Sequence, residues 1–192
     1  MKIVVREPQN EEEQLQMKEL LYEVCINEKN WPAEKVIEGY KESEIDLIAI
    51  NGNEIAGVLK IVFDSPKGLP ITKTEAFPEV DIHSNGAFPV EIALTVINKP
   101  YRGKTKVLLS LFKGMHQTLK AKNSSTNMYA ILEREIYNLY HFYGFKFEKL
   151  NEGKHYWNGW SYPCVLNLEE GMEYLKMNKP RIYEFFKGDG EL

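Results

Sequence analysis

A short basic segment in the middle of the chain carries the residue types from which anion-binding sites are built. The segment 102–106 reads Arg-Gly-Lys-Thr-Lys and follows an apolar run at 91–96. After it, apolar residues recur at helical spacing, at Val107, Leu108, Leu111, Phe112, Met115 and Leu119. The first N–H groups of a helix lack internal partners and lie at the positive end of its dipole. Phosphate is the natural ligand there, and an ordinary loop with solvated lysines is the alternative.

One carboxylate stands out in the run that precedes this segment. Glu91 is the only acidic residue at 91–96. Burial disfavours the charged form of a carboxylate and makes it a better proton acceptor, so Glu91 is a candidate general base. A glutamate at a strand end that pairs with a lysine is the alternative.

Aromatic residues and one thiol are concentrated near the end of the chain, at His155, Tyr156, Trp157, Trp160, Tyr162 and Cys164. Packing in the core or on an edge strand is the first explanation for them. An apolar pocket for an acyl chain or an acceptor is the second. The thiol fits a buried side chain better than an acyl-carrying nucleophile.

Composition narrows the class of protein. The chain has 192 residues and a net charge of −4, which suits one domain and argues against a general nucleic-acid binder. No apolar run is long enough for a membrane span, and the N-terminus lacks the pattern of a signal peptide. The two cysteines, Cys25 and Cys164, are far apart, so we expect free thiols and a cytoplasmic location.

Strands that alternate with helices must position these residues, which predicts an α/β (α+β) fold with a mixed, mostly antiparallel sheet flanked by helices. Asn51-Gly52 lies between two apolar runs, at 47–50 and 55–63, and predicts a hairpin. Gly57 inside the second run indicates a bulge or the close approach of another backbone.

Local signals mark other element ends. Asn10, with Glu13 three residues later, is typical of a capping box at a helix start. Gly144 predicts the end of a helix at 133–143. Runs at 145–150 and 155–168 predict a final pair of strands around Asn151-Glu152-Gly153, and two helices follow at 169–177 and 181–186.

The irregular stretch 64–87 is long for a compact domain and contains Pro66, Gly68, Pro70, Pro78 and Gly86. Because it also contains several apolar residues, we expect a partly ordered flap over a site. His83 lies within it and is expected to be a solvated loop histidine.

Four segments resemble, in order, those of the GCN5-related N-acetyltransferase (GNAT) superfamily: Asn-Gly-Asn-Glu-Ile-Ala-Gly at 51–57, the strand at 91–96, Pro-Tyr-Arg-Gly-Lys at 100–104 and Leu-Tyr-His-Phe-Tyr-Gly-Phe at 139–145. The last, with its Tyr-x-x-x-Gly-Phe pattern, is the most specific. The resemblance covers about residues 2–168. It implies a single GNAT-like acyltransferase domain at 1–168, with a C-terminal helical extension at 169–192 packed on the same domain.

The resemblance implies transfer of an acyl group, by default acetyl, from acetyl-CoA or another acyl-CoA to a small-molecule amine, without a metal. It assigns the general acid to Tyr140 and is compatible with Glu91 as the base. The pantetheine arm would bind the backbone of Leu94, Thr95 and Val96 as an added strand does. The pyrophosphate would bind Arg102, Gly103, Lys104, Thr105, Lys106 and Val107.

The phosphate-binding segment departs from the family pattern. Thr105 and Val107 stand where the family usually has small residues, which let a ligand approach the backbone. The charges of Arg102, Lys104 and Lys106 could replace part of the lost contact. A non-catalytic acyl-CoA sensor therefore stays open as an alternative.

Two further segments resemble the branch of acyl-homoserine-lactone synthases and long-chain N-acyl amino acid synthases: Lys-Gly-Leu-Pro-Ile at 67–71, and the tail from Tyr162-Pro163 to Asn-Lys-Pro at 178–180. That branch often has Ser-Arg after the strand glutamate, where this chain has Ala93 and Leu94. A longer-chain acyltransferase that uses acyl-CoA or acyl carrier protein is thus a second alternative. A homodimer is left open, and no nucleic-acid or membrane partner is expected.

Overall fold

The computed structural model describes residues 1–42, 45–82, 86–123 and 125–188, so His83 lies outside the described residues. Its strands are β1 (Val4–Arg6), β2 (Ile45–Asn51), β3 (Glu54–Phe63), β4 (Phe88–Ile97), β5 (Thr126–Glu133), β6 (Glu148–Lys149), β7 (Lys154–Tyr156) and β8 (Gly159–Asn167). Its α-helices are α1 (Glu11–Leu21), α2 (Ala33–Glu42), α3 (Pro70–Lys73), α4 (Thr105–Lys122), α5 (Arg134–Tyr143), α6 (Leu168–Asn178) and α7 (Pro180–Lys187).

The described residues form two compact units, each discontinuous in sequence. The first contains Met1–Phe63 and Ile92–Leu119, and the second contains Asp64–Glu91 and Lys120–Leu192, apart from the undescribed residues. β4 contributes its first four residues to the second unit and the rest to the first.

The first unit is built on β1, β2 and β3, which pair antiparallel, with β4 beside β3. The hairpin predicted at Asn51-Gly52 is confirmed, and Gly52 has the left-handed φ of +65° that such a turn needs. β3 is buried along almost its whole length. Its Lys60, also buried, pairs with Asp46 across the strands at 2.5 Å.

Gly57 shows both features that its place in a strand predicted. A Cβ there would lie 2.9 Å from the backbone oxygen of Val96. The register also slips beside it, because Ala49 is opposite Gly57 whereas Ile50 is opposite Ile55. Glycine is therefore required by close backbone approach.

Helix α1 begins as predicted, but its capping box is altered. The Asn10 side chain accepts a hydrogen bond from the N–H of Glu13 at 2.9 Å. The Glu13 carboxylate, however, accepts from the N–H of Gln9 at 2.8 Å and pairs with Arg6 at 2.7 Å. The helix start is thereby tied to β1.

In the second unit β5 is the central strand. It pairs parallel with β4, from Phe88 opposite Thr126 to Glu91 opposite Tyr129, and antiparallel with β8. The sheet is thus mixed and mostly antiparallel, as predicted. The two predicted C-terminal helices are confirmed as α6 and α7, and the Asn167 side chain caps α6.

The predicted final pair of strands is confirmed, because β6 in the first run pairs antiparallel with β8 in the second run. The second run is not one strand, however, since β7 at its start folds back and pairs with β8. The hairpin turn lies at Trp157-Asn158, where Trp157 has a φ of +52°. A tryptophan in this conformation carries no turn signal, because glycine and asparagine are the residues that usually adopt it.

None of the helices in the described ranges combines the length and apolar character that crossing a bilayer demands. Both cysteines are buried thiols, and neither forms a disulfide within the described residues.

Candidate functional site

The phosphate turn, which we define as residues 98–107, joins β4 to α4 in the first unit. A single 3-10 turn at Lys99–Tyr101 follows the strand, and the N–H of Lys104 then bonds the carbonyl oxygen of Tyr101 at 3.1 Å. Gly103, with φ +77°, takes the left-handed conformation that reverses the chain before the helix begins at Thr105. The predicted strand, turn and helix are therefore present.

The turn presents hydrogen-bond donors and positive charge at the start of α4. Within the described ranges, the amides of Gly103 and Lys106 have no hydrogen-bond partner. Lys104 is exposed, with its Nζ 4.8 Å from the centre of the Tyr101 ring, and Lys106 is half-buried. Open amides, the helix dipole and two lysines together favour an anion here.

Tyr101 fastens the beginning of the turn to the β2–β3 hairpin. Its hydroxyl donates to Oε2 of Glu54 at 2.6 Å and accepts from Nδ2 of Asn51 at 3.2 Å. The bond to the Glu54 carboxylate raises the pKa of Tyr101. Nδ2 of Asn98 also donates to the carbonyl oxygen of Ile55 at 3.0 Å. These bonds hold the turn in place without any ligand.

Arg102 has a partner that the sequence did not reveal. Its Nη1 lies 2.6 Å from Oε2 of Glu28, and its Nε donates to the carbonyl oxygen of Ile97 at 3.1 Å. The pairing with Arg102 lowers the pKa of Glu28. The charge of Arg102 is thus directed at a carboxylate of the same unit.

The residues expected to bind the donor at 94–96 and 107 differ in exposure and contacts. The side chain of Val107 is fully buried, so its bulk lies in the core and not at the surface of the turn. In β4, Leu94 and Val96 are buried and alternate with Thr95. Oγ1 of Thr95 is buried and has no hydrogen-bond partner among the residues that the structure describes.

In the second unit, Glu91 is only 4% exposed. Its Oε2 accepts a hydrogen bond of 2.6 Å from the backbone N–H of Ile71, the second residue of α3. The carboxylate thus caps the short helix in the long loop. This structural role is separate from the catalytic role expected from the sequence, which stays a prediction.

The described part of that loop, 64–82 and 86–87, packs against the rest of the second unit, while the flap over a site stays a prediction. Leu69, Ile71 and Phe77 are fully buried, and the Tyr129 hydroxyl donates to the carbonyl oxygen of Ile82 at 3.0 Å. These contacts show a packed segment.

Tyr156 packs against the long loop in the second unit. It is hydrogen-bonded to Thr74, and its pKa is raised first by burial and also by the charge of Glu91. Its ring lies 5.9 Å from that of Phe77 and stacks on Trp157 at 4.8 Å. Tyr156 thus contacts the loop through Thr74 and Phe77, and the charge of Glu91 acts on it; Thr74 was not predicted.

Tyr140 projects from α5 into an aromatic environment and is 3% exposed. Its ring centre lies 5.9 Å from that of Phe147 and 6.5 Å from that of Phe145. Gly144, with φ +99°, ends the helix, and the N–H of Phe145 then bonds the carbonyl oxygen of Tyr140 at 2.9 Å. The Tyr-x-x-x-Gly-Phe pattern is therefore a helix-ending motif that encloses its own tyrosine.

The other aromatic residues of the C-terminal segment differ in their contacts and exposure. Tyr162 lies 5.5 Å from Tyr137 and carries Nζ of Lys149 over its ring at 3.6 Å, while Trp160 is 44% exposed. Burial raises the pKa of Cys164 to about 12, so that it is a neutral thiol at neutral pH and a poor nucleophile.

No protein-family profile and no curated protein matches the chain by sequence. Solved structures do match. FeeM, an N-acyl amino acid synthase from uncultured soil microbes, is 15% identical, with a TM-score of 0.72 over 90% of this chain and 94% of FeeM. The CoA-dependent acyl-homoserine lactone synthase BjaI is 16% identical, with a TM-score of 0.67 over 94% of this chain and 88% of BjaI.

A GNAT-family acetyltransferase from Staphylococcus aureus Mu50 is 16% identical, with a TM-score of 0.56 over 87% of this chain and 99% of that protein. At these identities the likeness establishes the fold. The chain has the fold of the GNAT acyltransferases, which confirms the resemblance seen in the sequence at the level of structure.

Proposed function

We propose that the protein is an N-acyltransferase that moves an acyl group from a CoA thioester to a small-molecule amine. The observation that carries the proposal is the phosphate turn, where open amides and two lysines meet the N-terminus of an 18-residue helix. The pyrophosphate of CoA has the charge that such a site prefers. The GNAT fold supports the same assignment.

The reaction needs two proton transfers. The neutral amine nitrogen attacks the thioester carbonyl carbon, a C–N bond forms, and the C–S bond breaks. The nitrogen gives up one proton, and the leaving sulfur accepts one. In our proposal Glu91 takes the proton from the amine and Tyr140 supplies the proton to the sulfur, each as a general acid or base.

The remaining assignments concern the donor. The backbone of Leu94, Thr95 and Val96 would bind the pantetheine arm, and the phosphate turn would bind the pyrophosphate. Thr95 supports this, since its buried hydroxyl lacks a hydrogen-bond partner in the described part of the chain. A cytoplasmic location, where acyl-CoA is made and thiols stay reduced, is part of the proposal.

A second candidate is transfer of a longer acyl chain, from acyl-CoA or acyl carrier protein, to an amino acid or a related amine. It is favoured by the TM-scores of 0.72 to FeeM and 0.67 to BjaI, against 0.56 to the S. aureus acetyltransferase. A non-catalytic sensor is less well supported, because Val107 does not present its bulk at the turn.

The test of the proposal is whether CoA binds at the turn. Mass spectrometry of small molecules that copurify with the protein would identify a bound donor. CoA should raise the melting temperature of the wild type, because a ligand of the folded state alone stabilises it. A variant with Lys104→Glu and Lys106→Glu should lose this stabilisation.

The control is the matched double reversal Lys120→Glu and Lys122→Glu, near the other end of α4. It changes the net charge equally but should keep the stabilisation by CoA. Equal stabilisation of the turn variant and the wild type would refute the anion-site assignment.

A further inference from the structure

The ion pair between Arg102 and Glu28 bears on which charges of the phosphate turn bind a ligand. Arg102 is the one arginine of the turn, yet two of its three guanidinium nitrogens have protein partners within 3.1 Å. The Arg102 side chain is 40% exposed and the Glu28 side chain 27% exposed, so the pair lies at the surface beside the turn. The positive charge of Arg102 is therefore balanced by a carboxylate of the same chain.

Glu28 occupies an unusual position in the backbone. It is the last residue of a π-helical stretch, Tyr22–Glu28, that continues α1. The N–H of Lys29 bonds the carbonyl oxygen of Val24 at 3.0 Å, and Asn30 then takes a left-handed φ of +55°. π-Helical segments are rare and frequently occur at functional sites. Here the segment places a carboxylate against the phosphate turn.

Lys104 and Lys106 differ from Arg102, because their charges are not paired with a carboxylate. Nζ of Lys104 rests over the Tyr101 ring, a contact that leaves its hydrogen-bond donors available to an anion. No carboxylate pairs with Lys104 or Lys106 among the described residues. The charge available to a phosphate is thus that of the lysines.

We propose that Glu28 is a positioning residue. Its ion pair with Arg102 keeps the guanidinium beside the turn and away from the CoA phosphates, and thereby limits the affinity for CoA. The inference rests on the proposed function, since it assumes that CoA binds the turn. It assigns the pyrophosphate to Lys104, Lys106 and the open amides, and removes Arg102 from the ligands.

The consequence for turnover follows from what the substrate and product share. Acyl-CoA and CoA carry the same pyrophosphate, so extra binding at the turn stabilises the substrate, transition state and product complexes alike. Such uniform binding lowers KM without raising kcat, and it slows product release. By withholding Arg102, Glu28 would favour release of CoA.

The experiment measures CoA affinity by titration calorimetry in the wild type and in four variants: Glu28→Gln, Glu54→Gln, Arg102→Gln and Lys104→Gln. Glu28→Gln frees Arg102 and should tighten CoA binding about threefold to tenfold. Glu54→Gln is the matched control, because it removes a carboxylate bonded to the same turn without freeing an arginine. Arg102→Gln should weaken binding less than Lys104→Gln does.

A fifth variant separates Arg102 from the general effect of charge. In the Arg102→Gln background, Glu28→Gln should give less than half of the gain in CoA affinity that it gives in the wild type. If Glu28 had a purely structural role, Glu28→Gln would lower the melting temperature and weaken CoA binding.

The outcomes are distinguishable from failure of the proposed function. If the wild type does not bind CoA, both the proposed function and this inference are refuted. If the wild type binds CoA but Glu28→Gln gains no more than Glu54→Gln, or Arg102→Gln costs as much as Lys104→Gln, only the inference falls.

Discussion

At the scale of single residues, the two side chains proposed for proton transfer also hold the second unit together. Tyr140 fills an aromatic environment at the end of α5, and Glu91 caps α3 through the N–H of Ile71. Substitution of either residue can therefore change stability as well as chemistry. The informative variants are those that keep the packing and remove only the proton.

Tyr140→Phe keeps the ring and removes the hydroxyl. If Tyr140 protonates the leaving thiolate, turnover should fall by about 10²- to 10⁴-fold while CoA affinity is retained. The measurements are steady-state kinetics and CoA titration. Tyr137→Phe and Tyr143→Phe, on the same helix, are the controls, and burial makes Tyr137 a weaker acid by raising its pKa. Normal turnover of Tyr140→Phe, or equal losses in the controls, would rule out the acid role.

Glu91→Gln keeps a side-chain oxygen that can accept the hydrogen bond from the N–H of Ile71, but the amide cannot act as a general base. We expect a loss of turnover of about 10²-fold or more, with little change in melting temperature. Glu91→Ala should in addition expose the 64–82 loop to proteolysis, because the cap of α3 is gone. Full activity of Glu91→Gln would show that the carboxylate only anchors the loop.

At the scale of elements, short-range signals predicted the structure well. Three of these signals depend only on the local backbone: the turn at Asn51-Gly52, the close approach at Gly57 and the helix end at Gly144. Each lies where it was expected. The same holds for the start of α4 at the phosphate turn.

The features that sequence reasoning missed depend on contacts between distant residues. The bond between Glu91 and Ile71 spans 20 positions, and the ion pair of Arg102 with Glu28 has no local signal. The hairpin turn at Trp157 was missed because the packing of its ring on Tyr156 accompanies a backbone conformation that tryptophan rarely adopts. Patterns within one segment cannot show such partners.

Gly57→Ala tests the close approach of β3 and β4. The new Cβ would meet the backbone oxygen of Val96 at 2.9 Å, and a backbone atom cannot move aside as a flexible side chain can. We expect a loss of about 1–3 kcal/mol in the free energy of unfolding, measured by urea denaturation. Gly171→Ala is the control: Gly171 lies in α6, where the atoms nearest to a new Cβ belong to the flexible side chain of Leu166, at 3.3 Å, and alanine favours the helix. An unchanged stability of Gly57→Ala would contradict the packing described here.

At the scale of the whole molecule, the fold does not determine the acyl chain or the product. An N-acyl amino acid synthase, a CoA-dependent acyl-homoserine lactone synthase and a GNAT-family acetyltransferase share this fold with the chain at 15–16% identity. Substrate choice therefore depends on side chains that line the donor and acceptor sites, not on the arrangement of strands and helices.

A series of acyl-CoA thioesters separates the two candidate functions. Burial of each methylene contributes about 0.8 kcal/mol, or nearly fourfold in affinity. The longer-chain candidate predicts that the thermal stabilisation and affinity rise steadily from acetyl-CoA to octanoyl-CoA. A flat or falling series would contradict it and favour a short-chain acetyltransferase.

The discontinuous second unit has a consequence for synthesis on the ribosome. β5 is made before β8, which follows about thirty residues later and covers one edge of β5, from Asn127 opposite Asn167 to Glu133 opposite Ser161. Until then the nascent chain exposes a bare strand edge rich in apolar residues, which is prone to pair with other chains. A pause in translation between these two strands would prolong that exposure, so the interval is a natural point for chaperone engagement.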